Sequence, residues 1–391
     1  MTMTDLVSTQ TYRSTKGRVP VYRPLLNGEE FDISVREAQI ALTDNAHDTA
    51  VLAVTSATLT DTDGLIGACI SFFYGQAPRT ELFCGYIMTV SVDQAGQGNL
   101  QFSMMVFGAT QAMQKGIPRF WTGRTIPSVV EELSYIGGLG FHGHPQPHIW
   151  PALAQTDDTY WRTAINFTKR LGWCLFNRYG ILLCYDPNVL FAESGAYATL
   201  MSAQNRDFDP SAVRRMIEFT PSEDSDELPE HLGRKISYFT DNGVVQTTAE
   251  RGTFKKYKFV TDFVIRNYEE AELLADAGAK RIEYWNQKAQ ARIWGDSDLY
   301  PGMCVDIVTS NTAVYKAKYD GRWLIKGVAH KMDTQQFQTL LHVARPSNKA
   351  AITQDEYRPF WQVAGRARPT LSQVDNGWIS SWTDPRVRSV M

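Results

Sequence analysis

Apolar and polar positions alternate through the first part of the chain, from residue 19 to about residue 110. Successive side chains of a β-strand point to opposite faces, so a period of two predicts strands. Turn-forming residues interrupt the alternation, as at Asn27-Gly28 and in the polar segment 44–48. Short strands at this spacing, without helices between them, predict a sandwich or a barrel. The predicted strands are 19–25, 31–40, 50–59, 65–74, 80–93 and 100–108.

The next part of the chain has a helical pattern. Thr125 is a typical N-cap, Pro127 suits a first helical turn, and Gly137-Gly138 is a typical stop. These residues predict a helix between Thr125 and Gly137. The following elements are an extended segment over 141–150, a second helix from 157 or 158 to 172, and a hairpin over 173–185.

Polar and β-like segments make up the remainder. Residues 204–233 contain an acidic run (Glu223, Asp224, Asp226 and Glu227), which predicts a loop. Strands return over 235–265, and four more are predicted at 289–294, 303–309, 323–331 and 336–344. The helix predicted over 268–285 has a stripe of mostly small residues, which would allow it to lie close to a sheet. The stripe consists of Ala271, Leu274, Ala275, Gly278 and Ile282.

Composition narrows the class of protein. A chain of 391 residues is expected to form two or three domains. The formal net charge is −3, and no Lys/Arg block suggests a nucleic-acid-binding arm. We find no apolar run of about 20 residues and no secretion signal in Met1–Arg13, so we expect cytosolic folding without stable membrane insertion.

Aromatic residues make up 12%, which fits either assembly interfaces or an aromatic-rich core. The five scattered cysteines are expected to be thiols.

Catalytic motifs are missing from the sequence. The P-loop, dinucleotide, HExxH and GxSxG patterns are all absent. His142, His144 and His148 would share one face of a strand and could ligate zinc or iron. Two prolines interrupt that strand, and the cluster offers no fourth ligand, so we expect a surface loop and no bound metal. We also expect Asp296-Ser297-Asp298 to belong to a tight Pro-Gly turn, because the calcium-loop pattern fails at its sixth residue, Pro301.

Six segments carry a family resemblance. Trp294–Gly302 resembles the "G-x-x-x-L-x-P-G" turn of the phage late-control protein D family, the baseplate or tail-tip hubs. Residues 320–330 are similar to the family's "G-x-(Y/W)-x-(V/I)-x-x-(V/A)-x-H" strand, and 337–345 to its closing "(Y/F)-x-T-x-L-x-(V/L)-x-R" strand. Phe83–Ile87, the helix after Thr125, and the helix and hairpin over 159–182 resemble motifs of its first half. The resemblance covers residues 20 to 346.

The resemblance implies a mainly β fold with a small α+β insert and two tail-tube-like β-barrels. On this reading, the domains are a first barrel (1–115), an α-rich insert (116–203), a polar loop (204–233), a second barrel with one helix (234–346) and an extended C-terminal arm (347–391).

The implied function is structural. A homotrimer would form a pseudo-sixfold ring in a virion tail assembled in the host cytoplasm. The implied partners are a distal tail or tail-tube protein, tip, spike or fibre-attachment proteins, and a tape measure protein. DNA would pass through the ring without specific binding. We expect no enzymatic activity and no cofactor. The alternatives are a type VI secretion spike-like component and a tail-associated cell-wall-degrading enzyme.

Overall fold

The computed structural model describes most of the chain between residues 22 and 346. The described ranges are 22–59, 62–74, 80–96, 99–156, 158–202, 213–223, 233–240, 243–251, 257–261, 265, 267–285, 287–309 and 318–346. The predicted arm over 347–391 lies outside the described residues. Among the described residues, no helix has the length and apolar character needed to cross a membrane.

Strands dominate the described chain. In chain order they are β1 (Tyr22–Leu26), β2 (Glu29–Glu30), β3 (Ser34–Thr43), β4 (Thr49–Ser56), β5 (Cys69–Tyr74), β6 (Thr80–Gly96), β7 (Asn99–Gly108), β8 (Arg119–Trp121), β9 (Gly140–Gly143), β10 (Leu153–Gln155), β11 (Cys174–Arg178), β12 (Ile181–Tyr185), β13 (Ala196–Ser202), β14 (Val213–Glu223), β15 (Gly233–Thr240), β16 (Gly243–Arg251), β17 (Tyr257–Thr261), β18 (Gln287–Trp294), β19 (Cys304–Val308), β20 (Gly321–Asp333) and β21 (Phe337–Arg345). The α-helices are α1 (Ile126–Ile136), α2 (Tyr160–Arg170), α3 (Pro187–Glu193) and α4 (Tyr268–Tyr284), and a 3₁₀ helix covers Ala109–Gln114.

Six strands close into a barrel. Their order is β19-β13-β14-β18-β21-β20, and a direct pairing of β19 with β20 closes the ring. The strand predicted at 289–294 is confirmed as part of β18. Ala289, Ala291 and Ile293 point inward and are buried, while Gln290 and Arg292 are exposed. The interior of the barrel is therefore packed with side chains.

The prediction of a loop over 204–233 is wrong for residues 213–223. These residues form β14, which pairs antiparallel with β18 from Met216↔Ile293 to Glu223↔Gln287. β13, which lies inside the range predicted for the insert, also belongs to the barrel and runs parallel to β14 and β19.

The N-terminal strands continue the same sheet beyond the barrel. β3 pairs antiparallel with β20 from Thr43↔Gly327 to Glu37↔Asp333, and the order then runs β3-β4-β7-β6-β5-β1-β2. The whole sheet has 13 strands. The predicted turn at Asn27-Gly28 is confirmed, with φ of 50° and 87°, values typical of a tight hairpin turn. Among the described residues, no strand pairing closes these seven strands into a second ring.

The α-rich insert packs on a core of its own. Thr125 caps α1 by accepting a hydrogen bond from the Ser128 amide at 3.3 Å, and Gly137 ends the helix, as predicted. α2 begins after Thr159, slightly later than expected. The hairpin β11–β12 is confirmed, and β9 joins it in parallel. The shared core includes Val129, Leu133, Trp150, Phe167 and Leu182.

A third unit, formed by β15, β16, β17 and α4, is separate from the barrel. Its strands make a three-stranded sheet instead of continuing the barrel predicted for 234–346. Ala271 and Ala275 of α4 are fully buried against Ile236 and Ile265, so the predicted small-residue stripe does face a sheet.

Candidate assembly surfaces and the histidine segment

The turn between β3 and β4 joins three parts of the molecule. The Asn45 amide donates to the Leu175 carbonyl of β11 at 2.6 Å, and the Asn45 side-chain oxygen accepts from the Leu175 amide at 3.2 Å. The Asp44 amide donates to the Lys326 carbonyl of β20 at 3.0 Å, and the two side chains form an ion pair. This turn, predicted only as a polar break, therefore holds the insert against the continuous sheet.

Asp48 lies buried in the same turn. Its carboxylate accepts hydrogen bonds from the Thr43 amide at 3.3 Å and from Asn177 Nδ2 at 3.2 Å. Burial raises the pKa of Asp48 to about 7, although these hydrogen bonds and the charge of Arg178 act in the opposite direction. A carboxyl group that is easily protonated thus lies at the contact between β4 and the insert.

The segment 294–302 is a tight connection anchored by a polar network. The Asp296 amide donates to Thr339 Oγ1 at 3.1 Å, and His330 Nδ1 lies 3.0 Å from the same oxygen. Asp296 Oδ2 lies 2.7 Å from Arg214 Nε. Burial, and then the charge of Arg178, lower the pKa of His330 to about 3, so its ring is neutral. The network ties the turn to β14, β20 and β21.

The two glycines of this connection are required by close packing. A Cβ atom on Gly295 would lie 2.0 Å from Cγ of Phe337, and one on Gly302 would lie 2.4 Å from Cζ of Phe176. Gly302 also has a φ of +91°, which side chains disfavour. The glycines of the "G-x-x-x-L-x-P-G" segment therefore allow an aromatic ring to lie directly on the backbone.

The end of β21 is fixed by Arg345, a buried guanidinium. Its Nε donates to Gln287 Oε1 at 2.6 Å, and its other nitrogens donate to the carbonyls of Asp320 and Lys318. The guanidinium also stacks 4.4 Å from the Trp323 ring centroid. Desolvation lowers the pKa of Arg345 to about 10, which leaves it charged at neutral pH. These contacts tie the end of β21 to β18 and to the segment that precedes β20.

The histidines do not converge on one point. His142 Nδ1 hydrogen-bonds the Tyr185 hydroxyl, and the His144 ring packs edge-on against Tyr185, with centroids 4.5 Å apart. His144 Nδ1 accepts from the Asp186 amide at 3.2 Å. Burial, and then the charge of His142, lower the pKa of His144 to about 3. Two of the three histidines thus pack on β12.

His148 faces a different element. Its Nε2 lies 3.9 Å from Oε1 of Glu270, a fully buried residue in the first turn of α4. The Glu270 amide donates to Asn267 Oδ1 at 2.9 Å, and Asn267 Nδ2 donates to Glu270 Oε1 at 3.1 Å, so the two residues cap the start of α4 together. The expectation of a surface loop is wrong for His144 and His148, which are both buried. Among the described residues, no three His, Cys, Asp or Glu side chains are grouped as a metal would require.

The outer face of the N-terminal strands is poor in charge. A row of facing residues crosses four strands here, from Gln39 through Val51 and Met105 to Thr89. Val51 and Met105 are 45% and 38% exposed, so apolar atoms reach the surface in the middle of the face. The next row consists of Ala41, Thr49, Phe107 and Tyr86.

The charges bordering this face are paired. Lys331 on β20 lies 3.6 Å from Glu37, and Arg36 lies 3.5 Å from Asp93. The Ser103 hydroxyl also donates to Asp93 at 2.9 Å. The middle of the face is therefore uncharged and would not hold a polyanion tightly.

The insert exposes a second apolar surface. Ile117, Phe120 and Ile149 are 64%, 66% and 59% exposed and lie on or beside the ribbon formed by β8 and β10. Arg119 and Arg124 border the ribbon and both pair with Glu132 of α1. Exposed aromatic and aliphatic side chains of this kind are typical of assembly surfaces.

Sequence reasoning missed the role of the β3–β4 turn. Its side chains bond to residues such as Leu175, Asn177 and Lys326, which lie far away along the chain. The available signal was an acidic residue, Asp48, directly before the apolar alternation of β4.

Comparisons with known proteins identify the fold. No family model and no curated protein matches this sequence. Among solved structures, a tail protein from Neisseria meningitidis MC58 aligns with a TM-score of 0.61 and 13% identity, covering 84% of this chain and 97% of its own. The 43 kDa tail protein of prophage MuSo2 from Shewanella oneidensis aligns with a TM-score of 0.63 and 11% identity, covering 84% and 98%.

A secretion protein shares the same architecture. The E. coli c3393 protein, a component of the type VI secretion system with structural similarity to T4 bacteriophage tail proteins, aligns with a TM-score of 0.57. Identity is 10%, and the alignment covers 86% of this chain and 79% of the other. The mainly β fold of this chain is therefore shared with these two tail proteins and with this secretion component.

Proposed function

We propose that this chain is the structural hub of a bacteriophage tail tip or baseplate, in which three copies form a pseudo-sixfold ring. The ring joins a hexameric tail tube to threefold tip, spike or fibre-attachment proteins and continues the DNA channel. Its other partner on the tube side is the tape measure protein. The fold shared over 84% of the chain with a prophage tail protein and with a tail protein from Neisseria meningitidis supports this assignment.

One feature carries the proposal, namely a single sheet that spans both β regions of one chain. The pairing of β20 with β3 leaves no break between the closed barrel and the N-terminal strands. Three such chains side by side would supply a continuous β-wall from six β regions. Ring closure would also cover sheet edges that otherwise invite aggregation.

In this arrangement DNA passes along the outside of the barrels. The barrel interior cannot serve as the path because side chains such as Leu200, Ile293 and Leu341 fill it. The charge-poor face of β3, β4, β7 and β6 is the better channel wall, since a basic wall would retain phosphates and slow ejection. The apolar ribbon of the insert would then face neighbouring tip proteins.

Light scattering after size exclusion tests the oligomeric state. A trimer of the 44.1 kDa chain supports the ring. A chain that remains monomeric even when mixed with tube and tip proteins contradicts it.

We further propose that the chain has no enzymatic activity and serves a virion tail. A type VI spike-like component is the second candidate, because the c3393 protein shares the fold. Co-purification distinguishes the two, with a phage tube protein expected as the partner and a secretion tube protein contradicting the tail assignment. A cell-wall zymogram tests the enzymatic alternative, and clearing that depends on His142, His144 or His148 would overturn the structural role.

A further inference from the structure

Two cysteines face each other on neighbouring strands near the edge of the large sheet. Cys69 begins β5, and Cys84 lies in β6 one diagonal step away, opposite Ser71. Their sulfur atoms are 3.9 Å apart. Both side chains are partly exposed, whereas Cys174, Cys184 and Cys304 are buried. The chain thus contains one close, accessible pair of thiols and three enclosed thiols that serve as internal controls.

The electrostatics of the pair favour reaction at Cys69. The two thiols share a hydrogen bond in which either sulfur can donate. With Cys84 as the donor, this bond lowers the pKa of Cys69 to about 7 against the opposing effects of burial and of Glu81. Donation to Cys69, together with burial, raises the pKa of Cys84. Burial raises the pKa of Cys174 and Cys304 to about 12. Since the thiolate is the reactive form, Cys69 is the expected nucleophile at neutral pH.

We propose that Cys69 and Cys84 are a redox-sensitive pair that is reduced in a reducing cytosol and closes to an intramolecular disulfide in an oxidising medium. A disulfide requires a sulfur separation of about 2.05 Å, so the two side chains must close a gap of about 1.9 Å. Both sulfurs lie on one face of adjacent strands, at diagonal positions of the pairing.

The reaction balances with a disulfide oxidant such as oxidised glutathione. The Cys69 thiolate, having lost its proton to solvent, attacks one glutathione sulfur and releases the first glutathione thiolate. Cys84 then loses its proton, attacks the Cys69 sulfur of the mixed disulfide and releases the second glutathione thiolate. Two protein thiols are oxidised, and one glutathione disulfide is reduced to two thiols. Once Cys69 is in the mixed disulfide, its negative charge no longer opposes ionisation of Cys84.

The bond would fix the edge of the sheet. The Cys69 amide donates to Asn27 Oδ1 at 3.0 Å, and the Asn27 amide donates to the Cys69 carbonyl at 2.8 Å. A link to β6 would therefore hold β5 together with the β1–β2 turn. The benefit to a particle that leaves the cell rests on the proposed function, because virion surfaces meet oxidising conditions. The thiol chemistry itself does not depend on that function.

The test uses the purified full chain in oxidised glutathione at pH 7.5, quenched by alkylation and digested with trypsin. Arg79 separates the two cysteines, so the bond would join peptide 37–79 to peptide 80–115. The linked pair should form in the parent and in Cys174→Ser and be absent from Cys69→Ser and Cys84→Ser. Cys69 should react at least about tenfold faster than the buried cysteines.

Three results would overturn the inference. They are glutathione retained on Cys69 without the linked peptides, no reaction at either residue, and a link found only between two chains on a non-reducing gel. Because the assay reports the chemistry of one chain, a closed disulfide in a chain that never forms a ring would refute the hub and leave the thiol pair intact. A ring in which Cys69 and Cys84 never join would support the hub and refute the thiol pair.

Discussion

Replacing Asp48 by Asn should remove a pH-dependent weakness at the β3–β4 turn. Asp48 is buried, and its pKa in the folded chain is about 7, against 3.8 for the free side chain. Folding therefore favours the protonated form. Between about pH 4 and pH 7 the unfolded chain releases this proton while the folded chain retains it, so stability falls as pH rises through that window. Below about pH 4 both states are protonated, and the loss disappears.

The magnitude follows from the size of the pKa shift. A shift of about 3 units at about 1.36 kcal/mol per unit sets an upper limit of about 4 kcal/mol at pH 7.5. Local relaxation lowers this limit, and we expect Asp48→Asn to gain about 2 kcal/mol there. The Asn side chain can keep the hydrogen bond from the Thr43 amide. Its new amide nitrogen can donate to Asn177 Oδ1 after a flip of the Asn177 amide, since that oxygen has no partner in the structure.

Urea unfolding of parent and variant from pH 4 to pH 8 measures the effect. The stability difference should be near zero at pH 4 and grow steadily to pH 7.5. Asp333→Asn is the matched control with the opposite sign, because the backbone amides of Gln335 and Gln336 lower the pKa of Asp333. The native Asp333 carboxylate stabilises the fold above the ordinary aspartate pKa, and this contribution is lost as pH falls. A difference for Asp48→Asn that does not change with pH would refute the reasoning.

Three further substitutions test the packing and the proposed channel face. Gly295→Ala should destabilise the barrel by about 3 kcal/mol, because its Cβ would collide with Phe337, whereas Gly195→Ala, which meets no atom within 4 Å, should leave the melting temperature unchanged. Gly278→Leu should overpack the buried stripe of α4 and speed hydrogen exchange in that helix by about tenfold or more; a variant that exchanges and melts like the parent would contradict the docking of α4. Val51→Arg should make the ring retain DNA in a gel-shift assay at low salt, and equal retention by the parent would contradict an uncharged wall.

Local sequence patterns were sufficient to predict a helix or strand where one of its faces is buried. The strands predicted at 289–294 and 336–344 are β18 and β21, and each packs alternate side chains into the barrel over most of its length. The cap at Thr125 and the stop at Gly137 predicted α1, because both act on backbone groups close by in the sequence. These signals come from consecutive residues and do not depend on the rest of the chain.

Long-range pairing explains the failures. The range 204–233 was predicted to be a loop because it is polar and contains an acidic run. In β14, however, Arg214 pairs with Asp296 and Glu218 pairs with Arg292, and both partners lie far away along the chain. The histidines resemble a surface loop because their partners, such as Tyr185 and Glu270, occur much later in the chain. A polar segment can thus pair with, or be buried against, partners that are remote in the sequence, which no window of consecutive residues reveals.

Electron microscopy of the purified chain assembled with its tube protein tests the central claim most directly. We predict a ring of three subunits with six β regions around an open centre, seated coaxially on the hexameric tube. The face containing Val51 and Met105 should point toward the axis. A particle without a central opening, or a ring in which this face points outward, would contradict it.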